Sequence, residues 1–207
     1  MKQFIYADNA ATTKLDNEAF EAMAPYLLNE YGNASQPYSF ARKPKKALAE
    51  ARQIIASSIN ALPEEIFFTS GGTESDNWAI KGSAFIDAEE RATITTSIEH
   101  HAVLRACEAI ERLGYPVAYL NPDSKGIITP EALESIITDN TRLVSIMYSN
   151  NEIGTIEPVK ELAQVAHRHG ALFHTDAVQA IGHIGIDVKA LDVEKRCKGA
   201  VEKTEIL

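Results

Sequence analysis

The chain has 207 residues, of which 45% are hydrophobic and 24% charged, and a formal net charge of −9. This composition suits one globular domain with a sizeable core, and the acidic balance argues against a nucleic-acid-binding role. No apolar run approaches the roughly 20 residues of a membrane span, and the start, MKQFIYADNAATT, has no apolar signal region. The two distant cysteines, Cys107 and Cys197, form no CxxC pair and fit a reducing cytoplasm better than a disulfide framework.

In chain order, the segments LDNEAFEAMAPYLLNEY (15–31) and KALAEARQIIASSIN (46–60) have helical spacing and precede the first clear strand. Pro44 is expected to delay or kink the second of them. Strands are then predicted at EIFFTS (65–70), ATITTS (92–97), PVAYL (116–120), RLVSIMY (142–148) and ALFHTD (171–176). Helices are predicted between them, at 73–88, 101–114, 130–138 and 158–169, the last with Pro158 in its first turn and Gly170 at its stop. Strand and helix alternate as in parallel βαβ units. The predicted fold class is therefore α/β, a mostly parallel sheet sandwiched by helices. An N-terminal helical arm occupies 1–30, the sheet domain 31–193, and a Lys- and Glu-dense tail 194–207.

Ligands of such sheets sit at the carboxyl ends of the strands, and four predicted exits are polar. They carry Gly71-Gly72-Thr73, then Glu99-His100-His101, then Asn150-Asn151-Glu152, and last Asp176 with Gln179. Together they suggest one lined pocket. Gly71 and Gly72 allow close backbone approach to an anion at a helix start. Thr73 is equally compatible with a plain N-cap in a capping box with Asp76. No Walker A or GxGxxG pattern is present.

His100 and His101 read either as one surface and one buried histidine or as a ring available for stacking or proton transfer. His174 and Asp176 share a strand face and could bind a metal, but no complete ligand set is evident. The SNNEIG segment is compatible with a turn or with amide donors to a carboxylate. Asp176 is compatible with an N-cap. A cationic partner explains it better, because a carboxylate at the mouth of a buried strand needs a cation or donors, and a protonated pyridine nitrogen would suit it.

Taken together, YADNAATT, GNASQ, FFTSGGTESDN, SIEHHAVL, SIMYSNNEIG and HTDAVQAIGHIGIDV resemble the cysteine desulfurases, pyridoxal-phosphate enzymes of the class V aminotransferase family, over about residues 4–193. The resemblance implies an aspartate-aminotransferase-like large, cofactor-binding domain. It also implies a homodimer, with L-cysteine as substrate, giving L-alanine and sulfur for iron–sulfur cluster assembly. By the same resemblance, Gly72 and Thr73 hold the phosphate of pyridoxal 5'-phosphate and His100 stacks on its ring. Asp176 pairs with the ring nitrogen, Gln179 with the phenolic oxygen, and Asn151 lies beside that oxygen and the substrate carboxylate.

The departures are specific. The family's Ser-x-His-Lys, whose lysine forms the Schiff base, does not occur; the chain reads IDVKALDVEKRCKGAVEKTEIL instead. By spacing, that lysine would fall near Glu202, with Lys203 next to it and Lys195 and Lys198 upstream. Neither Cys107 nor Cys197 matches the cysteine that takes the substrate sulfur. NASQPY places Ala34 and Tyr38 where the family has proline and histidine. The chain thus resembles a desulfurase truncated before its lysine and small C-terminal domain. It is expected to be catalytically incompetent alone and to hold the cofactor weakly and non-covalently. A fold-retaining binding or assembly protein, or another class V transaminase or lyase, are the alternatives.

Overall fold

A computed structural model describes residues 5–86 and 89–193. Its sheet has four strands, β1 (Ala92–Thr96), β2 (Val117–Leu120), β3 (Thr141–Ser145) and β4 (Leu172–His174), in the order β2-β1-β3-β4 with every pair parallel. Its helices are α1 (Asn17–Leu28), α2 (Arg42–Ser58), α3 (Gly72–Ala84), α4 (His101–Glu111), α5 (Pro130–Glu134) and α6 (Val159–Arg168). The predicted fold class therefore holds, with boundaries displaced by a few residues at most helix and strand ends.

Period-two alternation sorts the sheet into two faces. Thr93, Leu143 and Leu172 lie in one register row, and Ile94, Val144 and Phe173 in the next. Leu143 packs under α3 and α4 with Ile80, Ala84, Val103, Ala106, Cys107 and Ile110. Ile94, Val144 and Phe173 turn the other way, into the larger core with Leu133, Leu162 and Val165. Both faces are covered, as a parallel sheet requires. Cys107 is fully buried in the first cluster, and burial pushes its thiol up to about 12. It is packing, as expected.

Two expectations fail, and one expected helix stands apart from the core. Residues 65–70 form no strand; Pro63–Glu65 make a 3-10 turn, and the residues that follow are extended but unpaired among the described residues. Local partners serve instead: Arg52 donates to the Ile66 backbone carbonyl at 2.9 Å and lies over the Phe68 ring. Pro44 neither delays nor kinks α2, which begins at Arg42. It stands in the first turn, where its missing N–H needs no partner. Finally, α1 forms under an Asp16 cap, accepting from Glu18 and Ala19, yet buries none of its residues.

The tail at 194–207, with Cys197, Lys195, Lys198 and Lys203, lies outside the described residues. Among the described residues, no helix is long and apolar enough to cross a membrane.

Candidate functional site

The chain runs from β1 outward to β2 and then returns across β1 to β3 and β4, so β1 and β3 flank the topological switch point. Glu99 closes the crevice there. It is 5% exposed; its Oε1 accepts from the Met147 backbone N–H at 2.9 Å and from the Thr96 hydroxyl at 2.8 Å. Burial pushes its carboxyl up to about 8, against the lowering effect of those two donors. It is therefore a neutral brace at neutral pH.

Beside Glu99 begins α4, capped by His100, whose Nδ1 accepts from the Ala102 N–H at 3.2 Å. His100 and His101 are both exposed, so the expectation of one buried histidine is corrected: the buried face of α4 starts only at Ala102 and Val103. The exit of β3 separates its two asparagines. Asn150 is buried and structural: Nδ2 donates to the Ile98 carbonyl, and Oδ1 accepts from the N–H groups of Glu152 and Ile153. Asn151 is half-buried and makes no side-chain hydrogen bond among the described residues, which leaves its amide for a ligand.

Past β4, Asp176 is 7% exposed. Its Oδ1 accepts from the Val178 N–H at 3.0 Å, and no cation pairs with it among the described residues. The N-cap alternative thus accounts for one oxygen only. Gln179 donates to the Ala10 carbonyl at 3.2 Å, so the YADNAATT segment lies against this loop. A Cβ built on Gly72 would meet Val178 Cγ2 at 3.5 Å, which places the start of α3 against the same loop.

At that start the capping-box expectation is corrected. The N-cap is Gly71, at φ 154°, and the Thr73 hydroxyl caps nothing. Glu74 takes the capping role, accepting from the Ser70 N–H and hydroxyl at 2.6 and 2.7 Å, which lowers its pKa. Among the described residues the Gly72 and Thr73 N–H groups have no partner, and Thr73 is exposed. These are the donors that an anion at a helix start uses.

One residue of the site was missed. Asp76 lies on the inner stripe of α3 with Ile80 and Ala84, and is 2% exposed. Its Oδ1 has no hydrogen bond; the nearest basic group is His174 Nε2, 3.6 Å away. Burial pushes the Asp76 carboxyl up to about 7, with Asp176 adding to the shift, and burial pushes His174 down to about 4. Burial thus disfavours the charged form of both partners of this contact. A carboxylate at a stripe position that should be apolar (76, 80, 84) was the sequence signal. His174 and Asp176, the pair that lacked a complete metal-ligand set, are not grouped together; instead Asp76, His100 and Asp176 bring ligand-type atoms within 4.8 Å of one another.

The sequence model of the class-V aminotransferases matches residues 5–195. The chain belongs to the class-V aminotransferase family. The family is pyridoxal-phosphate dependent. Among curated relatives, the chain is 50% identical to a cysteine desulfurase IscS of Methanosarcina thermophila over 191 residues, covering 92% of this chain and 47% of that protein. It is 48% identical to the IscS of Dictyoglomus turgidum, covering 94% of this chain and 50% of that protein. It therefore spans about half the length of the curated relatives it matches. Among solved structures, a NifS-like protein matches with a TM-score of 0.87 at 38% identity, over 90% of this chain and 52% of that one. A structure described as SspA in complex with cysteine matches with a TM-score of 0.88 at 39% identity, over 91% and 55%. These likenesses give the class-V member an aspartate-aminotransferase-like fold.

The residues present fit the family's cofactor. A buried carboxylate without a cation, an orphaned carboxylate oxygen and a helix start with free N–H groups match a cationic ring nitrogen and a phosphate. One element is turned away, because the Gln179 amide is engaged by Ala10.

Proposed function

We propose that this chain is the cofactor-binding portion of a cysteine desulfurase, built for L-cysteine to L-alanine conversion with sulfur passing toward iron–sulfur cluster assembly. The observation that carries the reading is Asp176, buried at the carboxyl end of the sheet with no cation beside it among the described residues. The relatives are named cysteine desulfurases, and one solved relative is described with cysteine bound.

Pyridoxal phosphate, when bound, supplies an electron sink for bonds at the substrate α-carbon. The N–H groups of Gly72 and Thr73 and the Thr73 hydroxyl hold the phosphate. Asp176 keeps the ring nitrogen protonated, and His100, exposed at the cap of α4, covers the ring face. Asn151 orients the substrate carboxylate. Gln179 reaches the phenolic oxygen once its amide leaves Ala10. Glu99 keeps water from the crevice behind them by tying Thr96 to Met147.

The 207 residues contain no Ser-x-His-Lys. On this reading the chain alone holds the cofactor weakly and non-covalently and does not turn over cysteine. On the same reading the chain associates as a homodimer.

The test is titration with pyridoxal phosphate, followed by borohydride reduction, peptide mapping and a sulfide assay with L-cysteine. Saturable binding that Asp176→Asn abolishes, without a stoichiometric lysine adduct or sulfide above free cofactor, is the expected result. A specific adduct on Lys203 with cysteine turnover would overturn the claim of incompetence. Binding indifferent to Asp176→Asn would overturn the site.

A further inference from the structure

The site holds one more carboxylate than its assigned ring nitrogen requires. Asp176 accounts for one; Asp76 faces the same space from α3. A carboxylate oxygen of each, with a ring nitrogen of His100, lies within a 4.8 Å cluster. Asp76 is 2% exposed and its Oδ1 has no hydrogen-bond partner.

Among the described residues no lysine or arginine pairs with Asp76, and its nearest basic neighbour is His174 Nε2 at 3.6 Å. The titratable groups around it are His174 on β4, Asp176 after β4, Glu99 after β1 and His100 at the start of α4. His174 is locked in place, its Nδ1 2.8 Å from Ser145 Oγ, and burial keeps it uncharged near neutral pH. Glu99 contributes a neutral carboxyl. No lysine or arginine pairs with Asp76 or Asp176 among the described residues.

A metal ion is a poor occupant. His100 Nδ1 accepts the Ala102 N–H, so in the neutral ring the proton sits on Nε2, which leaves no free lone pair for a metal. A cation that itself donates a hydrogen bond needs no such lone pair and meets two acceptors.

We propose that Asp76 is a positioning residue at the ring-nitrogen end of the site, adding its field to that of Asp176 so that the subsite selects a protonated ring nitrogen over an uncharged ring atom. This rests on the cofactor reading above and deepens it. Burial, and after it the Asp176 charge in the same space, disfavour ionisation of Asp76. Entry of a cation between the two carboxyls relieves that repulsion, and Asp76 releases its proton to bulk water.

The test uses pyridoxine 5'-phosphate, which has no aldehyde and cannot react with lysine, and its carbocyclic analogue with C–H in place of the ring nitrogen. Calorimetric affinities are compared for the wild-type chain, Asp76→Asn and Asp176→Asn. The wild type should prefer the nitrogen-bearing ligand by roughly tenfold or more, the scale of an opposite charge beside a titrating group. Asp76→Asn should lose most of that preference while its affinity for the analogue stays the same. A loss by Asp76→Asn that is equal for both ligands, or no loss, overturns the role of Asp76. Preference lost in Asp176→Asn alone leaves the cofactor reading standing and removes only this inference; no preference in the wild type removes both. Should Asp76→Asn not fold, the carboxyl ¹³C spectrum of the wild type decides. An aspartate titrating at about 7 should move to its ionised position at pH 7 on adding pyridoxine phosphate and not on adding the analogue. Failure to move overturns the proposal.

Discussion

Glu99 at the end of β1 accepts the backbone N–H of Met147, beyond the end of β3, at 2.9 Å. One side chain thus fastens the two strands on either side of the switch point. The same oxygen takes the Thr96 hydroxyl, while Oε2 is buried without a partner. The brace is made of a neutral acid because a charged one would be too costly there.

Truncating that brace leaves the Met147 N–H and the Thr96 hydroxyl buried without an acceptor. Glu99→Ala should destabilise the fold by roughly 2–4 kcal/mol, combining an unsatisfied donor with a small cavity. Glu99→Gln, which keeps the acceptor, should cost clearly less. Urea denaturation of the three chains measures the order; equal losses would show that the hydrogen bonds are idle.

Stability should fall as pH rises from 6.5 to 8. Asp76 and Glu99 have folded-state values raised to about 7 and about 8 from 3.8 and 4.5. In that window the folded chain binds more protons than the unfolded one, so raising pH favours unfolding. His174 acts oppositely but below it: its value is depressed to about 4 from 6.5, so its penalty grows as pH drops through that range. The raised value of half-buried His169 beside Glu134 has the same sign as the carboxyls. The variants therefore decide. Glu99→Gln and Asp76→Asn should each flatten the fall in melting temperature between pH 6.5 and 8, and an unchanged slope would refute the assignment.

Removing the Thr73 hydroxyl should weaken phosphate binding. Thr73→Val keeps the shape and the backbone N–H but deletes one donor, which at a charged acceptor is worth about 1.5–3 kcal/mol. The dissociation constant for pyridoxal phosphate should rise by about tenfold or more. Inorganic phosphate should compete with it. An unchanged constant removes Thr73 from the site.

The chain should associate. Phe20, Met23, Leu27 and Leu28 of α1 are 54, 47, 65 and 73% exposed, and Phe67, Phe68 and Trp78 are also open. Apolar exposure on this scale marks an interaction surface. Sedimentation at micromolar concentration should find dimers or larger species, and a stable compact monomer would contradict this.

The sheet and the polar residues past its strand ends were legible because their signals are local. Glycines before a helix, and polar residues following the apolar runs at 92–97, 142–148 and 171–176, can be seen within a dozen residues. What escaped depends on distant partners. EIFFTS has strand chemistry, but a strand exists only with a neighbour, and the described residues provide none for it. Asp76 looked like part of a cap because its spacing from Thr73 suits one; its burial is decided by the sheet beneath α3. Gln179 reads as a ligand donor, and only the folded chain shows Ala10, 169 positions earlier, occupying its amide.

The strand order has a consequence for synthesis on the ribosome. Glu99 and Met147 are 48 positions apart, and β1 and β3 are central neighbours. When β1 emerges, the first partner available to it is β2, an edge strand. The pair β1–β2 must persist with one side open until β3 has been translated, a few seconds later at about 5–20 residues per second. During that interval the buried polar atoms of Glu99 are wet, and the open flank of β1 can accept a strand from another nascent chain. Slow translation between codons 100 and 141 should therefore lower the yield of soluble protein more than equal slowing after codon 175, when the four strands are already made.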